Sequence, residues 1–283
     1  MGEVESDKYF EKYLAYDMEI NSVRLVYFSP TGTSKRVAEA IAKGIQVSCE
    51  HVDLTPPTAR TQEFERLSDE LAVIAAPVYA GRIPSEAVYR LRRISANDTP
   101  AVLVAVYGNR LYEDALVELQ DLAIELGFRP VAGGAFIGEH SYSTAEVPTA
   151  HGRPDADDVE KAIEFSRKIV EKMSGICGPR DIPPLELPGN RPYREGMRDT
   201  SEPVEPITKE ELCIKSGKCA EVCPTSSITV SDVVTTKGDT CIWCCACVKN
   251  CPSGARVMSP ILQKASRWLN TNFSERREPE TYL

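Results

Sequence analysis

The sequence predicts an α/β protein in which a doubly wound, parallel, five-stranded sheet is followed by a small cysteine-rich domain. Between residues 23 and 174, apolar runs alternate with amphipathic segments, the pattern of strands that alternate with helices. Residues 175–209 then become rich in proline and glycine. Eight of the ten cysteines lie between residues 213 and 251. These three observations fix the predicted order of the domains.

The predicted strands are short, mostly apolar segments. "VRLVYFS" at 23–29 is continuous and apolar, as expected of a strand that is buried on both faces. We interpret Cys49, at the start of the second strand, as a small apolar filler. The five predicted strands are 23–29, 49–54, 71–78, 101–108 and 131–138.

The predicted helices lie between and after these strands. Residues 33–45 place one apolar stripe at helical spacing, as expected of a helix that packs on a sheet. Further helices are predicted near 84–94, 113–127 and 155–174. With strands and helices alternating, the crossovers between parallel strands should be right-handed.

The remaining segments complete the predicted domain organisation. Residues 1–22 predict a short helix that packs on the domain edge, and residues 175–209 predict an extended linker that lies over a surface. Residues 210–258 are too few to bury a useful core, so metal ligation should supply much of their folding energy. Residues 259–283 predict a helix at 260–273 and a charged tail.

Composition and charge exclude several classes of function. The formal net charge of −9 argues against nucleic acid as the main partner, since phosphate binding requires a basic face. No apolar run reaches the roughly 18 residues that a membrane span needs. The acidic N-terminal stretch is not a signal peptide. We therefore expect a cytoplasmic protein in which the cysteines bind metal and do not form disulfides.

The segment "SPTGTSKRV" connects the first predicted strand to the first helix. A loop of hydroxyl side chains at a helix N-terminus suits phosphate, because backbone N–H groups and the helix dipole both favour an anion there. It matches neither the Walker A loop nor the dinucleotide Gly-x-Gly-x-x-Gly motif. Without the Gly-Lys-Ser/Thr of a Walker A loop, it suits a phosphate monoester that brings no magnesium. The alternative is an ordinary N-cap.

Two further loops follow the third and fourth predicted strands. These are "APVYAGRIP" at 76–84 and "YGNRLYED" at 107–114. Ligands of open α/β sheets bind at the carboxyl ends of strands. Aromatic side chains and adaptable backbone suit a planar ring held between two such loops.

On these loops, residues 23–174 resemble the flavodoxin family. The resemblance implies a flavodoxin-like sheet with strand order 2-1-3-4-5 and FMN as the cofactor. It implies that the phosphate is held by Ser29, Thr31, Gly32, Thr33 and Ser34. It implies that the isoalloxazine ring is bordered by Pro77, Val78, Tyr79, Ala80, Gly81, Tyr107, Gly108, Asn109, Arg110 and Tyr112.

The loop "GEHSYST" at 138–144 follows the fifth predicted strand. Its His140 is the candidate catalytic residue, because an imidazole near the ring could move a proton or orient a substrate. The alternative is a polar surface loop with a hydrogen-bonded histidine.

Two cysteine runs carry the second motif. Residues 241–252 contain Cys-x2-Cys-x2-Cys-x3-Cys-Pro without a gap, whereas residues 213–224 have Ser216 where the second cysteine should stand. Residues 210–258 closely resemble the bacterial-type two-cluster ferredoxins, an α+β domain. Zinc sites pair their Cys-x2-Cys units over a longer gap and fit less well.

In that ferredoxin family, the fourth cysteine of each run binds the other cluster. The resemblance therefore implies one [4Fe–4S] cluster on Cys241, Cys244, Cys247 and Cys223. It implies a second cluster on Cys213, Cys219 and Cys251, with Ser216 as a tentative fourth corner. This second site could hold [3Fe–4S]. It could instead hold [4Fe–4S] with the serine oxygen, water or a substrate at one iron, or Ser216 could be an engineered replacement of cysteine. Cys245 is expected not to be a ligand.

A flavin and two iron–sulfur clusters on one chain form an electron path, since clusters carry single electrons and flavins carry one or two. Nearly the whole chain resembles the flavodoxin–ferredoxin fusion family, which implies a redox carrier or reductase, with redox proteins or a small-molecule acceptor as partners.

We therefore hold two hypotheses for the function of the chain. The first is an electron-transfer protein fed by a low-potential donor, which needs an exposed ring edge. The second is an FMN-dependent reductase, which needs a roofed cavity. Substrate chemistry at the open iron corner is a third option.

Overall fold

The computed structural model describes residues 18–195 and 204–283. The helix expected within residues 1–22 falls almost entirely in residues 1–17, outside this range. The described chain begins with Met18, whose N–H donates to the carbonyl of Ile176 at 2.8 Å. No helix in these two stretches is both long enough and apolar enough to cross a bilayer.

Five parallel strands form the centre of the fold. They are β1 (Ser22–Tyr27), β2 (Ser48–Asp53), β3 (Leu71–Pro77), β4 (Thr99–Tyr107) and β5 (Phe128–Ile137). The parallel strands stand side by side as β2-β1-β3-β4-β5. Because all five run in the same direction, the loops that follow β1, β3, β4 and β5 meet at one edge of the sheet. The predicted mostly parallel sheet is confirmed.

Four helices cover the two faces of this sheet. They are α1 (Thr33–Ile45), α2 (Ser85–Leu91), α3 (Ala115–Glu125) and α4 (Ala156–Met173). Helices α1 and α4 share one buried cluster with the sheet, while α2 and α3 share the other. Strand β3 is buried at every residue, which explains why its sequence is a continuous apolar run.

The sheet has six strands, so the prediction of five strands was too few. Strand β10 (Glu280–Tyr282) pairs antiparallel with β5, with Glu280 opposite Ala135 and Tyr282 opposite Gly133. The segment predicted to be a charged tail therefore covers the β5 edge, whose backbone groups would otherwise lack ladder partners.

The opposite edge of the sheet is formed by β2, and there the prediction for Cys49 is wrong. Five of the six β2 residues are exposed, and Cys49 is among them. An edge strand packs on one neighbour only, β1 in this case. Cys49 therefore fills no core position.

The proline-rich segment after α4 lies along the surface of α3. The amide of Gln120 donates to the carbonyl of Leu185 at 2.6 Å. The N–H of Asn190 donates to Asp114 at 2.8 Å, and Arg191 forms an ion pair with Asp121. These contacts hold residues 185–191 along the surface of α3.

The cysteine-rich segment forms small elements. A two-stranded pair joins β6 (Ile207–Thr208) to β9 (Arg256–Val257), and a hairpin joins β7 (Ile228–Val230) to β8 (Val234–Thr236). Short helices α5 (Lys218–Glu221) and α6 (Ala246–Lys249) each precede the last cysteine of one run. Helix α7 (Pro260–Asn272) follows, within the predicted range.

Candidate functional site

The loop after β1 presents its backbone at the carboxyl edge of the sheet. The hydroxyl of Ser29 accepts the N–H of Lys35 at 3.1 Å, and the N–H of Ser29 donates to the hydroxyl of Thr55 at 2.8 Å. Gly32 takes a φ of +83° directly before α1, a conformation that glycine adopts without strain. The loop is therefore held in place from both sides.

This loop fits a bound phosphate monoester. The side chain of Ser34 is 0% exposed, and its Oγ has no hydrogen-bond partner in the structure. A buried hydroxyl without a partner costs stability unless a ligand satisfies it. The first turn of α1 carries no acidic residue that would repel an anion. Phosphate oxygens would supply acceptors for the Ser34 hydroxyl and for the backbone N–H groups at the start of α1.

The loop after β3 is a tight turn at the same edge. Tyr79 and Arg82 exchange backbone hydrogen bonds at 2.9 and 3.1 Å, which places Ala80 and Gly81 at the tip with positive φ angles of 52° and 81°. The Glu113 carboxylate lies against Gly81, where a Cβ atom would collide with it. Pro77 ends strand β3, and Val78 donates its N–H to the carbonyl of Val106.

The loop after β4 faces that turn. Within this loop Arg110 donates to Glu113 at 2.7 Å. The N–H of Asp114 donates to the carbonyl of Gly81 at 3.0 Å, which joins the two loops. Gly108 lies beneath the imidazole of His140, and a Cβ there would stand 2.3 Å from His140 Cδ2. Glycine at positions 81 and 108 therefore leaves room for the Glu113 carboxylate and the His140 imidazole.

Three side chains that were expected to border the ring have other partners in the structure. The hydroxyl of Tyr112 donates to Glu280 at 2.8 Å and contacts Tyr282. The amide of Asn109 donates to the carbonyls of Phe273 and Glu275 at 2.6 and 2.8 Å. Tyr107 is 3% exposed and its ring packs on that of Tyr112. These three side chains hold the C-terminal segment.

The loop after β5 places His140 against these elements. The N–H of Tyr142 donates to His140 Nδ1 at 3.0 Å, so the proton of the neutral imidazole resides on Nε2. Burial, followed by the positive charges of Lys249 and Arg110, lowers the pKa of His140 to about 4. At neutral pH the imidazole is therefore uncharged and donates a hydrogen bond through Nε2. It carries no proton that it could readily transfer as a general acid.

Cys223, Cys241, Cys244 and Cys247, together with Cys245, line one cavity of the cysteine-rich segment. We call it the inner cavity, and it encloses about 310 Å³, part of it open to solvent. All of these cysteines are free thiols. The structure thus brings the first expected ligand set together. Cys245 also packs, at 1% exposure, with Met258 and Leu262.

Cys213, Cys219, Cys251 and Ser216 line a second cavity, together with Lys215 and Arg256. We call it the outer cavity, and it encloses about 300 Å³, again partly solvent. The structure thus brings the second expected set together. Ser216 is exposed, whereas Cys219 is buried. The corner that lacks a cysteine is therefore the one that faces solvent.

Arg256 lies between these cavities and was missed by the sequence analysis. It is 3% exposed. Its guanidinium donates to the sulfur of Cys247 at 3.6 Å, and its backbone N–H donates to that of Cys251 at 3.3 Å. Its Nε is buried without a partner. The guanidinium also donates to the hydroxyls of Thr208 and Thr236 at 2.8 and 2.9 Å. A buried cation whose acceptors are uncharged, beside two thiol-lined cavities, fits anionic clusters, because negative charge would offset its desolvation.

No group of three His, Cys, Asp or Glu side chains within residues 18–195 and 204–283 converges closely enough to hold a single metal ion. Thiolates that hold an iron–sulfur cluster bind different iron atoms and surround a space. In this structure, several thiols line each of the two cavities.

The inner cavity adjoins the carboxyl edge of the sheet. Ile242, Cys244 and Ala246 belong to the buried cluster beneath α2 and α3, and Tyr79 packs against this cluster. Burial, with Cys244 as the next cause, raises the pKa of the Tyr79 phenol well above its usual value. The thiols and the turn after β3 are therefore neighbours.

Two solved flavodoxins resemble the first half of the chain in structure. One is from Streptococcus pneumonia TIGR4, with 14% identity, coverage of 53% of this chain and 99% of the other, and a TM-score of 0.36. The second is a flavodoxin from the domain Archaea, with 15% identity, coverage of 54% and 98%, and a TM-score of 0.36.

An NADH:FMN oxidoreductase in its apo form also resembles this chain, with 14% identity, coverage of 57% and 94%, and a TM-score of 0.39. Likenesses of this strength identify neither a cofactor nor an activity. No protein-family model and no curated protein matches the chain.

Proposed function

We propose that the chain is an electron-transfer protein that binds FMN at the carboxyl edge of its sheet and two iron–sulfur clusters in its two thiol-lined cavities. Electrons would pass between a low-potential donor, the clusters and the flavin. One observation carries this proposal. The turn that should border the flavin ring contacts the same buried cluster as Cys244 of the inner cavity. Sites this close suit electron transfer within one chain.

When bound, FMN would supply the conversion between one-electron and two-electron transfer. The chain would bind its phosphate at Ser29–Ser34 and place its ring between the turns at Gly81 and Gly108. His140 would offer a neutral Nε2–H donor to that ring. The inner cavity would hold a [4Fe–4S] cluster, and the outer cavity a [4Fe–4S] or [3Fe–4S] cluster, with Ser216 at the corner that lacks a cysteine.

A reductase of a small molecule is the second candidate, and the loop at 138–154 favours it. His140 covers Gly108. Lys249 donates to the carbonyl of Ser143 at 2.7 Å, and the hydroxyl of Ser266 donates to that of Tyr142 at 2.7 Å. A loop fastened in this way could roof a substrate pocket beside the ring.

Cofactor analysis of protein purified without oxygen tests the proposal. We expect about seven or eight irons per chain with matching sulfide, since a bacterial-type domain holds two clusters, together with one FMN. A count near four irons would refute the two-cluster assignment, and a chain without flavin would refute the electron path. Rapid reduction of small quinones or nitroaromatic compounds, with no transfer to one-electron carrier proteins, would favour the reductase.

A further inference from the structure

Arg90 is a charged side chain buried between the two parts of the molecule. It lies on α2, and its exposed fraction is 0%. Burying a guanidinium is costly unless its donors are paired. The set of partners therefore indicates what this residue holds together.

On one side, Arg90 contacts the support of the phosphate loop. Its Nη1 donates to the carbonyls of Leu54, Thr55 and Pro56 at 2.6, 2.7 and 2.9 Å. The hydroxyl of Thr55 in turn accepts the N–H of Ser29. The guanidinium also lies 5.3 Å from the ring centre of Phe28, the residue before Ser29. Arg90 thereby fixes the segment against which the loop is built.

On the other side, Arg90 contacts the inner cavity. Its Nη2 donates to the carbonyl of Pro224, which follows Cys223 and lines that cavity. Glu86 accepts a hydrogen bond from Arg90 Nε at 2.9 Å and offsets the charge. One guanidinium is thus shared between the start of the phosphate loop and the fourth thiol of the inner set.

We propose that Arg90 couples the loading of the two sites, so that a filled inner cavity strengthens FMN binding and bound FMN strengthens the hold on that cluster. This inference rests on the proposed function. A cluster bound to Cys223 would fix the Pro224 carbonyl, which fixes Arg90 and through it the Thr55–Ser29 hydrogen bond. A shift of Pro224 on loss of the cluster would break the hydrogen bond from Arg90 Nη2 and would leave part of a buried donor unpaired. Coupling between binding sites is reciprocal.

FMN titration of the full chain tests this inference. The dissociation constant is measured by fluorescence quenching, for protein with its clusters loaded and for protein stripped by a chelator. In the wild type we expect FMN to bind at least about fivefold more weakly after stripping, the lower end of usual coupling. The ratio of the two dissociation constants, stripped over loaded, measures the coupling. Arg90→Lys keeps the charge but loses the planar fork, so this ratio should fall towards one.

Arg92→Lys is the matched control, since Arg92 is on the same helix end but is exposed and forms an ion pair with Glu125. The ratio should stay as in the wild type. Thr55→Val removes the hydroxyl that receives the Ser29 N–H and leaves Arg90 intact, so it tests the same path if Arg90→Lys fails to fold. It should also bring the ratio towards one.

A second measurement uses the wild type alone. Bound FMN should slow the release of iron from the inner cluster to a chelator, because the coupling is reciprocal. Equal FMN affinities with and without clusters would overturn the inference, and so would an unchanged ratio in both variants. A protein that loads both cofactors independently would refute only this coupling. A protein that loads neither would refute the proposed function.

Discussion

At the scale of single residues, the guanidinium of Arg256 donates to the sulfur of Cys247 in the inner cavity and also lines the outer cavity. A positive donor near a cluster favours the more negative, reduced form. We expect Arg256→Gln to lower the reduction potentials of the clusters by roughly 60–130 mV, because a hydrogen bond to a charged group contributes about 1.5–3 kcal/mol and tenfold in a one-electron couple is about 59 mV.

Redox titration followed by EPR measures this shift. Arg267→Gln, an exposed change on α7, is the control and should leave the potentials unchanged. Unaltered potentials in Arg256→Gln, with both clusters present, would contradict the role given to this guanidinium.

Ser216 stands at the exposed corner of the outer cavity. A serine hydroxyl is a poorer iron ligand than a thiolate, since it loses its proton less readily. We expect mild oxidation of the wild type to release iron from this corner and to give the EPR signal of a three-iron cluster. Ser216→Cys should retain eight irons under the same treatment. Ile214→Val, a conservative change at another residue lining that cavity, should behave as the wild type. Equal iron loss in the cysteine variant would count against this assignment.

His140 should make folding sensitive to acid. Its pKa is lowered to about 4 in the folded protein, below the value near 6.5 of an unfolded histidine. The unfolded chain therefore binds more protons between these values, and the free energy of unfolding falls as the pH decreases from about 6.5 to 4. His140→Gln should flatten this decline in urea unfolding. His151→Gln, at an exposed histidine, is the control and should leave the decline in stability unchanged. An equally steep decline in both variants would argue against the role of His140.

Sequence patterns identified the thiols but not the arginines. The cysteine spacing and the hydroxyl loop are local, so the residues that line each cavity could be named in advance. Arg90 and Arg256 occupy positions where sequence alone suggests an ordinary surface charge, and only tertiary contacts bury them. Tyr107 and Tyr112 were assigned to the ring because they lie at the carboxyl end of β4, but the C-terminal segment binds their side chains.

At the scale of elements, strand β10 closes the β5 edge of the sheet. Removal of Glu280–Leu283 deletes its ladder and both partners of the Tyr112 hydroxyl. We expect this truncation to lower the free energy of unfolding by about 2–4 kcal/mol, the sum of a few hydrogen bonds at about 1 kcal/mol each. Deleting Leu283 alone should have little effect. The measurement is chemical unfolding, and equal stability of the two truncations would contradict the role of the strand.

The elements that could be predicted are those with long patterns. Strand β3 is a continuous apolar run because every one of its residues is buried between the two clusters, and helix α1 shows a clear helical stripe because one of its faces packs on a single cluster. Strand β10 is three residues long and carries no such pattern, and its pairing depends on an open edge that is formed more than a hundred residues earlier. The exposure of Cys49 likewise follows from the position of β2 at the edge of the sheet. That position cannot be predicted from the residues of β2 alone.

At the scale of the whole molecule, the sheet and the cysteine-rich segment differ in what stabilises them. The sheet has two extensive buried clusters, whereas the segment has small ones that consist partly of cysteines. We expect iron chelation to expose residues 204–258 to proteases while residues 22–173 remain protected, because bound metal supplies folding energy. Mass spectrometry of the fragments checks this. Uniform protection after complete iron loss would show that the segment is stable without metal.

The pairing of β10 with β5 gives the molecule an unusual connectivity. The chain leaves the sheet after α4, builds the two cavities, and then returns to complete the same sheet. The cysteine-rich part therefore lies between two segments of the sheet domain, and it contacts that domain directly where Arg90 donates to the carbonyl of Pro224. In the proposed electron path, changing the length of the connecting peptide should alter the rate of internal electron transfer little, since these contacts set the spacing of the two parts.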